Sequence, residues 1–364
     1  MTFRKCEQCF NVAPFGPLID ELEFTMNKPI NWGILGTGII ARTFANAIEK
    51  SDRAHLSGVA SRTPGRSDIV ERFPGVRVFD GYDTMLESSE VEAVYISTNH
   101  SSHVDLAIRA AKAGKHIVCE KPVGISLAEA QELFDVIKTS DVFFMEAFMY
   151  RFHPQIMRAI DIVESGQIGQ LRLIQAEFGF NLPFNPSHRI YNPKDHGGGL
   201  MDAGGYPLSM ARLFAGVGRG KSFANPIELQ GMTTLHETGV DNLALATLRF
   251  PEDIIAQIST GINMAHGQVT RLYGTKGNLK ILSPWFGGGI EGGRSELVLT
   301  LDKQAPETLQ IDDPVWLYEH EVNALIDGVS RGEREPHWPA MSWADSLGNM
   351  KWLEIWHRSG QRPL

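Results

Sequence analysis

Three short runs of the chain carry residue types that can do chemistry together. Glu120-Lys121-Pro122 follows the apolar run His116 to Cys119, which reads as a strand. An ammonium at the carboxyl edge of a parallel sheet stands where open α/β folds bind their ligands, and there it can orient a hydroxyl. Gly197-Gly198-Gly199-Leu200-Met201-Asp202-Ala203-Gly204-Gly205-Tyr206 reads as a flexible approach and then a helix start. Asp202 and Tyr206 lie four residues apart, so a helix would put them on one face. Gly36-Thr37-Gly38-Ile39-Ile40-Ala41 joins an apolar run to a helical pattern, the context that makes such glycines a dinucleotide-binding turn. Gly36 permits the tight turn, Gly38 lets pyrophosphate approach the backbone, and Ala41 is small where helix meets strand.

These residue types fit hydride transfer, in which a nicotinamide does the redox work and the protein must move one proton. A tyrosine ordinarily titrates near 10, too high for efficient base work at neutral pH. The ammonium of Lys121 is expected to favour the phenolate of Tyr206, and in the reductive direction the same phenol would donate to a carbonyl oxygen. Asp202 reads as a positioner or hydroxyl acceptor, or else as a charge that satisfies the helix dipole. The second strand should end near Ala60, where an NAD enzyme usually carries Asp or Glu for the ribose hydroxyls. Here Ser61-Arg62 follows, with Arg66 nearby, so NADP(H) is preferred while NAD(H) remains possible. Arg151, His153, Asn181, His188, Arg189 and Tyr191 precede the glycine run and are expected to line a polar substrate pocket, with Arg151 and Arg189 as binding residues and Arg189 foremost.

Elements must hold these groups in place. The runs Asn31 to Leu35, His55 to Ala60, Ala93 to Ser97, His116 to Cys119 and Val142 to Met145 alternate with helical patterns near Ile39 to Glu49, Ser102 to Ala113 and Leu127 to Thr139. That alternation predicts an α/β fold, an N-terminal doubly wound parallel sheet of Rossmann type over residues 28–150. After a helix near Pro154 to Ser165 the text turns to period-two alternation, in Leu171 to Phe180, Ile227 to Leu235, Leu243 to Phe250, Ile254 to Gly261, Gln268 to Tyr273 and Asn278 to Ile281. It predicts a C-terminal α+β domain with a large, mostly antiparallel open sheet over residues 151–315. Helices Leu317 to Val329 and Trp343 to His357 would fill 316–364. Residues 1–27 show no sustained period and are expected to be a disordered extension. Gly287-Gly288-Gly289 with Gly292-Gly293 lacks a following helix and reads as a loose hairpin connection.

At 364 residues the chain exceeds one comfortable core. Net charge −9 and the lack of a basic stretch argue against a nucleic-acid partner. No run is long and apolar enough to span a bilayer, and three cysteines cannot form a disulfide framework. The expected location is therefore cytoplasmic. Cys6 and Cys9 form a C-x-x-C with no second pair, so no metal is expected.

Together these segments resemble the glucose-fructose oxidoreductase, inositol dehydrogenase and rhizopine catabolism superfamily. The resemblance rests on Gly36 to Ala41, Thr98-Asn99 through His103, Ala113-Gly114-Lys115-His116, Glu120-Lys121-Pro122 and Gly197 to Tyr206. Met145-Glu146-Ala147-Phe148-Met149-Tyr150-Arg151-Phe152-His153-Pro154 is similar to the branch of dimeric dihydrodiol dehydrogenases and NADP-dependent aldose dehydrogenases of the xylose type. The resemblance implies that Lys121 and Tyr206 act together on a sugar-like substrate or cyclic dihydrodiol. It also implies that Glu120, Lys121, Thr98, Asn99 and His103 belong to the cofactor site, although a single histidine such as His103 is more often a structural residue. A homodimer or homotetramer through the second sheet is expected, since symmetric pairing would bury an uncovered face. Two other readings stay open: an NADP-sensing regulator without catalysis, and a glycoside hydrolase that retains NAD.

Overall fold

The computed structural model describes residues 28–63 and 65–360. Six strands, Ile30–Leu35 (β1), Ala54–Ala60 (β2), Val78–Phe79 (β3), Ala93–Ile96 (β4), His116–Glu120 (β5) and Phe144–Ala147 (β6), form one sheet in the order β3-β2-β1-β4-β5-β6. All its pairings are parallel. Their apolar runs are buried because helices cover both faces. Helix Ile39–Lys50 shows how: Ala41, Phe44, Ala45 and Ile48 recur at helical spacing and are buried. Phe44 then stacks on Tyr95 of β4 with ring centroids 3.7 Å apart. Helix Leu127–Ile137 begins where the Ser126 hydroxyl accepts from the Glu129 N–H, which satisfies one of its free donors.

The second sheet holds Leu171–Gly179 (β7), Glu228–Leu235 (β8), Asp241–Arg249 (β9), Ile255–Gly261 (β10), Val269–Gly274 (β11), Gly277–Leu282 (β12), Gly293–Leu301 (β13) and Glu307–Asp313 (β14), in the order β14-β13-β12-β11-β7-β10-β9-β8. Only β7 and β10 pair in parallel. Helices Pro154–Glu164, Gly205–Val217 and Trp343–Gly360 pack against the sheet. A trough on it is lined by Gln175, Glu177, Thr247, Gln257, Ser259 and Arg271, with Met232 and Leu245 among them, 58% and 46% exposed. The two helices expected as a separate C-terminal unit divide between the sheets. Glu319–Ser330 rests on helix Ile39–Lys50 and on β5 and β6, while Trp343–Gly360 reaches helices Leu127–Ile137 and Gly205–Val217 and strand β8.

The core also contains charge. Arg212 Nη1 lies 2.5 Å from one Asp345 carboxylate oxygen and Arg151 Nη2 lies 3.4 Å from the other, all three side chains being buried. Glu146 in β6 is buried too, and its Oε1 accepts from the Val123 N–H at 2.8 Å. Burial raises its carboxyl to about 7, against the pull of hydrogen bonds from Ser346 and Val123. The folded state therefore holds this proton more tightly than the unfolded chain. The stability it contributes is present below the ordinary carboxyl range and is lost as pH rises through about 7. Glu146→Gln, which cannot ionise, is expected to gain on the wild type between pH ~5 and ~8, by up to about 3 kcal/mol. Calorimetric melting at both pH values checks this; a constant difference in Tm would remove Glu146 as the cause.

Candidate active site

A crevice of about 800 Å³ opens at the carboxyl ends of the first sheet. At its floor β1 runs into Gly36, whose N–H donates to Ala60 O at 2.9 Å. Its φ is +116°, and a Cβ there would stand 2.7 Å from the Ser97 carbonyl, so only glycine fits. A Cβ on Gly38 would meet nothing within 4 Å, and no side chain caps the helix that starts at Ile39. The first N–H groups of that helix are thus open to an anion. Thr37, Ile39, Ile40, Ser61, Arg62, Arg66, Thr98 and Asn99 line the same crevice. These residues fit a phosphorylated dinucleotide: open backbone donors at one turn, and no carboxylate after β2.

Two strands along the sheet from β1, β5 delivers Glu120 and, just beyond it, Lys121, and the Lys121-Pro122 peptide is cis. Lys121 Nζ donates to the Asp202 carbonyl at 2.7 Å and lies over the Tyr206 ring, 5.1 Å from its centroid. Asp202 sits in a single π-helical turn, Leu200–Gly204, ahead of helix Gly205–Val217; such turns are rare and gather at functional sites. Gly198 leads into that turn with φ +106°, and a Cβ there would fall on the Asp241 carboxylate. The Asp202 Oδ1 accepts from Arg189 Nη2 at 2.7 Å. Burial would raise the Asp202 carboxyl, but Lys121 and Arg189 hold it down at about 2. Glu120 Oε1 accepts from the Tyr95 hydroxyl at 2.5 Å, and Oε2 accepts from the Lys121 N–H at 3.3 Å. Lys121, Asp202, Tyr206 and Arg189 are thus brought together.

The expected phenolate is not. Tyr206 is 5% exposed, and burial, followed by Tyr318, Glu120, Glu321 and Asp202, pushes its phenol well above its usual value. Lys121 faces the ring and not the oxygen, so the phenol stays protonated. Its hydroxyl donates to Met149 Sδ at 3.4 Å, a weak acceptor that an oxygen can replace.

Other expectations also change. Arg151 is no pocket residue: it is enclosed, with Nε on the Tyr150 hydroxyl, Nη1 on Pro339 O and Nη2 on Ser209 O. His153 is buried and caps helix Pro154–Glu164, and Tyr191 is buried with its hydroxyl on Leu182 O. Asn181 forms a bridge with Asn263. His103 is fully buried, its ring nitrogens on Pro122 O at 2.9 Å and Thr98 O at 3.1 Å; it holds the turn around the cofactor site and does not reach into it. Arg66 is held on Asp68 through two nitrogens. His188 and Arg189 do line the crevice.

Several residues of the site were not expected. Arg72 lies on the crevice wall, and so do Phe286, Ile290 and Tyr318. Phe286 and Ile290 border the Gly287–Gly289 run, which leads into β13 as a connection but also walls the crevice. His100 is buried, with Nδ1 unpartnered. Among the described residues no three His, Cys, Asp or Glu side chains gather to hold a metal, and no helix is long and apolar enough to cross a membrane. Cys6 and Cys9 lie outside the described residues.

Residues 30–148 match the family described as "Oxidoreductase family, NAD-binding Rossmann fold", and residues 156–280 match the "GFO/IDH/MocA C-terminal domain". The chain is 30% identical to a D-xylose 1-dehydrogenase (NADP(+)) of Haloferax volcanii over 91% of its own length and 97% of that protein's. It is 30% identical to the trans-1,2-dihydrobenzene-1,2-diol dehydrogenase of Mus musculus over 70% of this chain and 75% of the other. A 3-ketoreductase from Actinomadura kijaniata, solved with NADP and TDP-benzene, superposes with a TM-score of 0.78 at 25% identity, covering 91% of this chain and 98% of that one. With its two sheets, its glycine turn and its lysine at the end of β5, the chain belongs to the GFO/IDH/MocA family of oxidoreductases.

Proposed function

We propose that the protein transfers hydride between NADP(H) and a sugar or cyclic diol, with Lys121 and Tyr206 handling the proton. The observation that carries this reading is a crevice lined by the open glycine turn and by Arg189, together with the contacts that tie Arg189 to Asp202, Asp202 to Lys121 and Lys121 to Tyr206. The cofactor would lie over Gly36 to Ile40, with Thr98, Asn99 and Glu120 beside it, and when bound it supplies or takes the hydride. Lys121 directs its N–H groups at the substrate oxygen. Tyr206, protonated in its buried setting, gives its proton to that oxygen as a carbonyl becomes an alcohol. Asp202, ionised and gripped by Arg189, accepts a neighbouring hydroxyl. Two relatives act on D-xylose and on trans-1,2-dihydrobenzene-1,2-diol, and both compounds carry adjacent hydroxyls.

Reduced-nicotinamide absorbance with NADP⁺ and a panel of aldoses and cyclic trans-diols tests the reading, together with NADPH and keto sugars in reverse. Turnover of at least one such pair is expected. Tight NADPH binding without turnover of any of them would instead favour a cofactor-sensing role. The trough on the second sheet, with Met232 and Leu245 exposed, supports pairing with a second copy of the chain. The low cysteine count favours a reducing compartment.

A further inference from the structure

The π-helical turn Leu200–Gly204 has no cap of its own, because Gly199 ahead of it offers no side chain to accept an N–H. The acceptor comes from 41 residues away: Asp241, the first residue of β9, is buried, and its Oδ2 accepts from the Leu200 N–H at 2.7 Å. A carboxylate at a helix start meets unpaired N–H groups and the positive end of the dipole. The glycines leave room for it. A Cβ on Gly198 would fall on the carboxylate, and one on Gly199 would stand 3.2 Å from Oδ2. Thr260 of β10 adds a second hold, its hydroxyl donating to the Gly199 carbonyl at 3.3 Å. Further along the turn stands Asp202. A π-helical turn pairs a carbonyl with the N–H five residues on, and from Asp202 that residue is Pro207, which has none. The π register thus offers the Asp202 carbonyl no main-chain donor, and Lys121 Nζ takes it at 2.7 Å. Beside the turn lies a cavity of about 290 Å³ lined by Leu200, Met201 and Asp241, with Ile125 from the segment after Pro122. The turn has space to shift there once its anchor is lost.

Resting on the proton-transfer reading above, we propose that Asp241 is a positioning residue for Lys121: by fixing the start of the π-helical turn it sets where the Asp202 carbonyl stands, and with it the ammonium. Asp241 does not line the crevice and acts only through the turn. A group held to a fraction of an ångström by such supports transfers a proton well, and one left loose does not.

Limited acetylation of the full chain with the N-hydroxysuccinimide ester of acetic acid, read lysine by lysine by mass spectrometry, tests this without a substrate. Asp241→Asn keeps the shape of the side chain, whereas Ala would leave the Leu200 N–H buried without an acceptor. The Asn variant is expected to melt within about 5 °C of the wild type. A neutral acceptor holds an N–H about tenfold less well than a charged one, so Lys121 should be acetylated about three- to tenfold faster. Exposed Lys138 should keep its rate. With D-xylose and NADP⁺ as probes, kcat should fall by about tenfold while the KM for NADP⁺ stays within about twofold. Unchanged acetylation of Lys121, or equal acceleration at both lysines, overturns the proposal, and so does selective acceleration with kcat intact. Failure of the underlying reading would show on another variant: Lys121→Met would then keep wild-type turnover, whatever Asp241→Asn does.

Discussion

Lys121→Met is expected to lower turnover by about 10² to 10⁴, the usual reach of a group that handles a proton in the transition state, with NADPH binding retained. Its Nζ is the cation that stands over Tyr206 and against the Asp202 carbonyl, so no neighbour replaces it. Tyr206→Phe should lose a similar factor, and its pH dependence distinguishes its role. Burial and the surrounding carboxyl and phenol groups hold the Tyr206 proton well above the usual range. Reduction by the wild type should thus be level across neutral and mildly alkaline pH, whereas oxidation, which needs that proton gone, should quicken as pH rises. Rate profiles in both directions, with stopped-flow NADPH binding as control, check both variants. A Phe variant with wild-type rates would take Tyr206 out of the proton step.

The largest effect on stability is expected at Asp345. Its carboxylate neutralises Arg151 and Arg212 where none of the three reaches solvent. Removing one partner of a buried pair leaves an uncompensated charge, at about 3–5 kcal/mol. Asp345→Ala should therefore lower the unfolding free energy from denaturant titration by that order, or fail to accumulate as folded protein. Arg151→Met tests the same cluster from the other side. Although the sequence groups it with Arg189, it should move stability and leave KM unchanged in whatever fraction folds. A variant with normal stability and a raised KM would return Arg151 to the substrate pocket.

The parallel sheet was legible because its strands are apolar runs punctuated by amphipathic helices. The exceptions are β3 and the helices Ser67–Arg72 and Tyr82–Leu86, two, six and five residues long, too short to show a period. That gap hid Arg72. In the second sheet β13 and β14 went unread. Leu297, Leu299 and Leu301 do alternate along β13, but the glycines before it read only as a connection. That Lys121, Asp202 and Tyr206 gather in one place was legible because Lys121 is tied to a strand end and Asp202 and Tyr206 to one motif. What failed was inference from polar residues clustered along the chain. Arg151, His153 and Tyr191 look alike on paper to Arg189, yet their donors and acceptors are consumed by backbone and core partners. Only folding decides which polar groups are left over. The phenolate expectation failed similarly, since one ammonium was visible locally while Glu321 and Tyr318 arrive from over a hundred residues away.

The crevice takes its glycine turn from the first sheet, Phe286 and Ile290 from the connection between β12 and β13, and Tyr318 from the segment after β14. A dinucleotide seated there would touch both halves of the molecule at once and act as mortar between two bricks. Whatever pries the halves apart must first expel it, so abundance of the cofactor in the cell would set how long each copy of the enzyme survives as well as how fast it works.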